Sequence, residues 1–185
     1  MADPPISSRR TAARAVAVAL AVLVSSSCAH RSGPSTVAIP GTTRKGAAAE
    51  VTHVVDGDTV DLEFPDGTSE RARLLGIDTP ETVKPNTPVQ CYGPEASART
   101  KALLPPGTAV VVQRDTEARD RYGRLLVYLW RRRDGLFVNA SLVSEGFART
   151  LSIAPNTAHR ADLAADASQA DARDIGLWGA CAATR

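Results

Sequence analysis

The chain of 185 residues has little of what usually announces a function: three cysteines, one methionine and eight aromatic rings (two Trp, three Tyr, three Phe). Nothing recurs with a period of about 20–50 residues, which argues against a solenoid. The longest apolar run, Ala15–Val24, has ten residues. As a helix rising about 1.5 Å per residue it covers roughly half of a hydrocarbon core, so a multi-span membrane protein is excluded. An excess of one charge is also missing. There are 22 Lys+Arg against 20 Asp+Glu, net +2, and residues 1–28 supply that excess through Arg9, Arg10 and Arg14 against Asp3. The remainder is neutral, so a grip on a polyanion through bulk positive charge is disfavoured and any anion site must be local. What is present is a 43% apolar content, too high for a disordered chain, at a length that suits one domain or one domain with a tail.

The first segment reads as an address. Three arginines precede Ala15–Val24, and the small residues Ser25-Ser26-Ser27-Cys28-Ala29 follow it. A basic start, a short apolar stretch and a small-residue exit make a secretory signal peptide over 1–28. Cys28 stands where a bacterial lipoprotein carries its acylated cysteine, although Ser25 stands where such signals place Leu. Acylation with a membrane tether is one reading; loss with the leader, or a place in an unstructured tail, is the other. Arg9-Arg10 resembles a twin-arginine pair, but Thr11-Ala12-Ala13 lacks the apolar residues expected next. Residues 29–49, rich in Ser, Thr, Gly, Pro and Ala, read as a flexible linker. An exported chain is secreted or on the cell surface, and Cys91 and Cys181 remain to pair there. Closing that loop stabilises by roughly 4–5 kcal/mol in the chain-entropy model. The alternative is two buried free thiols.

The globular part, 50–185, places strands before helices. Val51–Val55 and Thr59–Phe64 are rich in β-formers, the second alternating Val60, Leu62, Phe64 against polar residues. Pro65-Asp66-Gly67 signals a turn into a third strand, Thr68–Ile77. Pro94 and Glu95 open a helix to Leu104 that Pro105-Pro106-Gly107 ends. Thr108–Arg114 and Arg124–Trp130 are further strands; Val138–Glu145 and about Thr157–Asp174 are helices. This order predicts an α+β fold, a five-stranded OB-type barrel packed by about three helices.

Three stretches carry chemistry. In Asp56-Gly57-Asp58-Thr59-Val60, Asp58 shares the parity of the inward Val60 and Leu62, and an inward carboxylate is costly unless paired or metal-bound. Taken alone, the stretch reads better as an Asp-Gly turn between two strands; the spacing excludes an EF-hand. In Arg73-Leu74-Leu75-Gly76-Ile77-Asp78-Thr79-Pro80-Glu81-Thr82, two carboxylates follow an Arg into a turn. Hard oxygen ligands such as Asp58 and Asp78 favour Ca²⁺ or Mg²⁺ over zinc, and a nearby Glu81 can orient or deprotonate water. Arg119-Asp120-Arg121-Tyr122-Gly123-Arg124 offers guanidiniums suited to phosphate oxygens. Arg131-Arg132-Arg133 reads as a basic turn.

Together with Tyr92-Gly93-Pro94-Glu95-Ala96-Ser97, these stretches in this order resemble the thermonuclease (staphylococcal nuclease-like) family from about Val51 to Trp178. The resemblance implies an OB-fold nuclease that uses Ca²⁺ to hydrolyse DNA and RNA to 3′-phosphates, as a monomer without an obligate protein partner. By position it implies Asp58 and Asp78 as side-chain metal ligands and Thr79 as a backbone-carbonyl ligand. Glu81 corresponds to the water-orienting carboxylate, Arg73 and Arg124 to the pair on the scissile phosphate. Asp56, Asp120 and Tyr122 correspond to supporting positions. One departure stands out: where the family often has tyrosines against the substrate base, this chain has Leu151 and Ile153. Such stacking is worth about 1–3 kcal/mol per base. The histidines, His30, His53 and His159, have no metal-site or Ser-His spacing and read as surface or packing residues. The alternative function is a non-catalytic OB-fold module on the cell surface that binds nucleic acid or protein.

Overall fold

A computed structural model describes Met1 and residues 36–39, 45–83 and 85–182. The signal-peptide expectation beyond Met1, with Cys28, lies outside the described residues. The elements are β1 (Thr36–Ala38), β2 (Lys45–Asp56), β3 (Thr59–Glu63), β4 (Ser69–Leu74), β5 (Gly76–Asp78), α1 (Gly93–Leu103), β6 (Thr108–Gln113), β7 (Leu125–Arg131), α2 (Val138–Ser144), β8 (Arg149–Leu151), α3 (Arg160–Ala172) and α4 (Leu177–Ala180). Pairing runs β2–β3–β4–β7–β6 and returns from β6 to β2, so five strands close on themselves. All these pairs are antiparallel except β4–β7, which is parallel. This closed five-stranded ring with helices at its side is the expected OB barrel.

Alternation along the strands puts Val51, Val60, Leu62, Ala72, Leu74 and Val127 fully inside, the valines and leucines each contributing roughly 1.5–3 kcal/mol by burial. Leu103 and Leu104 at the end of α1, and Val138, Leu142 and Val143 of α2, join the same core. Buried Asn139 fastens α2 to the barrel: its Oδ1 accepts the Leu129 N–H at 3.0 Å and its Nδ2 donates to the Leu75 carbonyl at 2.8 Å. His159 is buried, with Tyr128, Phe137 and Trp130 at ring-centroid distances of 4.5, 4.9 and 5.5 Å, a packing residue as expected.

Four sequence expectations need correction. The linker reading of 29–49 fails in part, because Thr36–Ala38 pairs with Lys45–Ala47 and Ile39 is buried. Ala47–Ala49 have the composition of a spacer, yet they pair with Val110–Val112 of β6, so the globular part begins before Glu50. The third strand divides at Leu75: Gly76 has φ 76°, a left-handed conformation suited to glycine, and β5 turns away to pair with β8, which the sequence pattern did not reveal. A fourth helix of one turn, α4, occupies the Gly-Leu-Trp-Gly stretch. Arg131 is no solvent-facing turn residue. It is buried, bonded to Asp134 and donating through Nη1 to the Leu103 carbonyl at 3.0 Å.

Candidate active site

The barrel brings Asp58, Arg73, Asp78 and Thr79 together at the turn between β2 and β3. Asp58 sits in that turn, buried as its parity predicts, and its burial is compensated by partners. Its Oδ1 accepts the Thr59 hydroxyl at 3.0 Å and its Oδ2 accepts the Thr79 N–H at 3.2 Å. Gly57 permits this approach: a Cβ there would stand 2.6 Å from Thr79 Oγ1. From α1, the buried Thr100 hydroxyl donates to the Gly57 carbonyl at 2.6 Å and holds the turn down.

Arg73, near the end of β4, links the two acidic stretches. One guanidinium nitrogen, Nη2, lies 3.0 Å from Asp58 Oδ2 and 3.0 Å from Asp78 Oδ1. The other, Nη1, donates to the carbonyls of Leu74 and Ile77 at 2.7 and 2.9 Å. The break at Gly76 makes this possible, since it folds β5 back toward the arginine that precedes it. Two hard carboxylates therefore converge on one small volume beside Thr79, whose hydroxyl Oγ1 is buried without a hydrogen-bond partner.

Glu81 and Asp56 complete the acidic face. Glu81 Oε1 accepts the N–H groups of Thr82 and Val83 at 2.9 and 2.8 Å. Asp56 accepts the Thr82 hydroxyl at 2.6 Å. Burial pushes the Asp56 carboxyl above its ordinary value against the pull of Thr82, and the Glu81 carboxyl adds to the rise. Burial likewise raises Asp78; Arg73 opposes this, while Asp58 and Glu81 reinforce it. Two carboxylates, Asp58 and Asp78, share the single charge of Arg73, with Glu81 close enough to raise Asp78, so the place gains from a cation. Among the described residues no three His, Cys, Asp or Glu side chains form a closed metal cage. The donors the structure brings together are the carboxylates of Asp58 and Asp78, hard oxygens of the kind that hold Ca²⁺ with water in its remaining positions.

Arg124, Asp120 and Tyr122 form a second network at the entry to β7. Asp120 Oδ1 accepts the Tyr122 and Arg124 N–H groups, each at 2.9 Å, and its Oδ2 accepts Arg124 Nε at 2.7 Å. Burial raises the Asp120 carboxyl, but these bonds to Arg124 and Tyr122 outweigh it and hold the group below its ordinary value. Tyr122 is exposed, its ring under the guanidiniums of Arg121 and Arg124 at 4.8 and 5.5 Å. Arg119 closes the loop by donating to the Gly123 carbonyl at 2.8 Å and pairing with Glu70. Strand register relates the two networks. Arg73 is the register partner of Leu126 in β7, and Arg124 stands two residues before Leu126, just ahead of that strand.

Thr82, Gln90 and Thr100 were not singled out in the sequence, yet each hydrogen-bonds directly to a site stretch. Thr82 and Gln90 lie within or beside the quoted motifs, but neutral side chains carry no signal of their own. Thr100 sits on a helix whose contact with the turn exists only in three dimensions. The expected disulfide is present, Cys91 to Cys181. Leu151 and Ile153 are exposed.

Comparison with known proteins agrees with this arrangement. The family profile described as "Staphylococcal nuclease homologue" matches residues 71–180. The chain is similar to the thermonuclease of Staphylococcus intermedius, 42% identical over 134 residues that span 72% of this chain and 77% of that protein. It is similar to the thermonuclease of Staphylococcus hyicus, at 40% over 70% of this chain and 74% of the relative. Endonuclease YncB of Bacillus subtilis is 38% identical over 67% of this chain and 58% of its own length. With its closed barrel and the residues gathered at the β2–β3 turn, the chain belongs to the staphylococcal nuclease homologue family.

Proposed function

We propose that the protein is a calcium-dependent nuclease that hydrolyses phosphodiester bonds of DNA and RNA, leaving 3′-phosphates. The observation that carries this reading is the convergence of Asp58 and Asp78 on Arg73, with Glu81 on the adjoining turn. The names of the similar proteins, thermonuclease and endonuclease, support it.

Asp58, Asp78 and the Thr79 carbonyl would hold Ca²⁺, which would supply Lewis-acid neutralisation of charge on the phosphate. A phosphodiester repels an incoming hydroxide, so charge must be neutralised as it builds at phosphorus. Arg73 binds a non-bridging oxygen before and during attack. It is already placed beside Asp58 and Asp78, and a substrate phosphate competes for its Nη2. Arg124 acts chiefly as charge develops, oriented by Asp120. Glu81 orients the attacking water. Asp56 and Thr82 hold the turn that carries it. Leu151 and Ile153, exposed where family members often stack a base, leave binding weaker or differently selective.

Export fits the same reading. The arginines before Ala15–Val24 and the Cys91–Cys181 disulfide, a linkage that persists in oxidising compartments, support a secreted or surface-tethered enzyme. Mass spectrometry of the mature protein distinguishes a free N-terminus from an acylated Cys28.

The test of activity is degradation of single-stranded DNA, duplex DNA and RNA with millimolar Ca²⁺, with Mg²⁺ and with chelator. Cleavage that needs Ca²⁺ and falls about 100-fold or more in Arg124→Ala and in Arg73→Ala is expected. Folded protein that cleaves none of these substrates would overturn the reading in favour of a binding module.

A further inference from the structure

Besides the Asp56–Thr82 bond, the loop that carries Glu81 is gripped by Gln90 through both its side chain and its main chain. The Glu81 N–H donates to Gln90 Oε1 at 2.9 Å, and the Gln90 N–H returns to the Glu81 carbonyl at 3.0 Å. Both main-chain groups of Glu81 are thereby gripped by a single residue nine positions later. The grip is anchored twice. The Gln90 carbonyl accepts the N–H of Gly93, the first residue of α1, at 3.0 Å, and Cys91 is bonded to Cys181 just beyond α4. The Glu81 carboxylate accepts the N–H groups of Thr82 and Val83 within its own turn, and the Thr82 hydroxyl ties that turn to Asp56 of β2 at 2.6 Å; Gln90 adds the hold on the main chain of Glu81 itself.

We infer that Gln90, braced by the Cys91–Cys181 disulfide, is a positioning residue that sets where Glu81 stands relative to Asp58 and Asp78. The inference rests on the nuclease reading for its consequence but on the hydrogen bonds above for its geometry. Gln90 is exposed, so its amide adds little to the packed core. What it adds is restriction of a loop, and a misplacement of about 1 Å at a reacting group costs on the order of 100-fold in rate. The useful atom is the acceptor oxygen, which Glu also provides and Ala does not.

The experiment is steady-state cleavage of single-stranded DNA in Ca²⁺ by the mature protein and by Gln90→Ala, Gln90→Glu, Glu81→Gln, Glu81→Gln/Gln90→Ala and Cys91→Ser/Cys181→Ser. Amide hydrogen exchange at residues 81–83 is measured on each. Gln90→Ala is expected to lose about 10- to 100-fold in kcat with KM and melting temperature unchanged. Gln90→Glu is expected to restore kcat. Adding Gln90→Ala to Glu81→Gln should cost nothing further, because the carboxylate being positioned is already gone. The double serine variant should also lower kcat and speed exchange at 81–83. Unchanged kcat in Gln90→Ala, equal loss in Gln90→Glu, or a full further loss in the Glu81→Gln background would overturn the inference. An inactive wild type would overturn the nuclease reading instead. The clamp would then stand or fall on whether the Glu81 amide is protected in wild type and exchanges in Gln90→Ala.

Discussion

Asp120 holds Arg124 at two points, one on the backbone and one on the side chain: Oδ1 accepts the Arg124 N–H at 2.9 Å and Oδ2 accepts Nε at 2.7 Å. Nε is thereby committed to the protein, while the rest of the guanidinium fork is aimed by that bond. Asp120→Ala should therefore lower turnover by about 10- to 100-fold, the range seen when partners that orient reactive groups are removed. Asp120→Asn keeps an acceptor and should lose less. Single-turnover cleavage rates on the two variants check the order.

Calcium should stabilise the fold, and more so at neutral than at acid pH. Burial, with Asp58 and Glu81, raises the Asp78 carboxyl despite Arg73. A group raised on folding contributes stability at pH values below its unfolded value of 3.8 and loses it as pH climbs through the raised one. A cation relieves that cost by favouring the ionised form. Ligand at roughly 100 times its Kd adds about 2.7 kcal/mol, several degrees in melting temperature for a chain of this size. Thermal melts with Ca²⁺ and with chelator should show this gain at pH 7, much less at pH 4, and none in Asp78→Asn.

Asp134 has the opposite sign. Hydrogen bonds from buried Arg131 hold its carboxyl at about 2, below the ordinary 3.8. A group depressed on folding contributes stability above its unfolded value, and that contribution is lost as pH falls from about 3.8 to about 2. Acid titration of the melting temperature should fall less steeply in Asp134→Asn than in wild type across that window, from a lower starting value at pH 7.

Restoring an aromatic surface should tighten substrate binding. Leu151 and Ile153 are 41% and 65% exposed, so larger rings meet solvent and strain no core. Leu151→Tyr and Ile153→Tyr should each lower KM for single-stranded DNA by an amount corresponding to about 1–3 kcal/mol per stacked base, with kcat little changed. Steady-state kinetics on short oligonucleotides separate the two parameters.

Much of the candidate site is legible in the sequence, because charge and parity are local. Asp58 had to be paired or metal-bound once its parity pointed it inward, and the structure pairs it with Thr79 and Arg73. The alternation in Thr59–Glu63 and the turn residues Pro65-Asp66-Gly67 likewise placed β3 and the hairpin that follows. The expectation failed where a residue's role depends on a distant partner. Lys45–Ala49 resembled a spacer because alanine carries no periodic signal, and pairing with β1 and β6 makes it strand. Arg131 resembled its solvated neighbours until the Leu103 carbonyl and Asp134 enclosed it.

Amino-acid order alone pointed to the class of fold and to the acids and arginines of the candidate site. Hydrophobic period, turn chemistry and the spacing of acids and arginines act over a few residues and need no knowledge of the rest of the chain. Closure of the barrel from β6 back to β2, the return of β5 to β8, and the grip of Gln90 on Glu81 were decided in three dimensions. Each is a hydrogen-bonded pairing between backbone or neutral groups that nearly every residue carries. Their partners are selected by which surfaces the packed core brings together, not by any mark in the sequence.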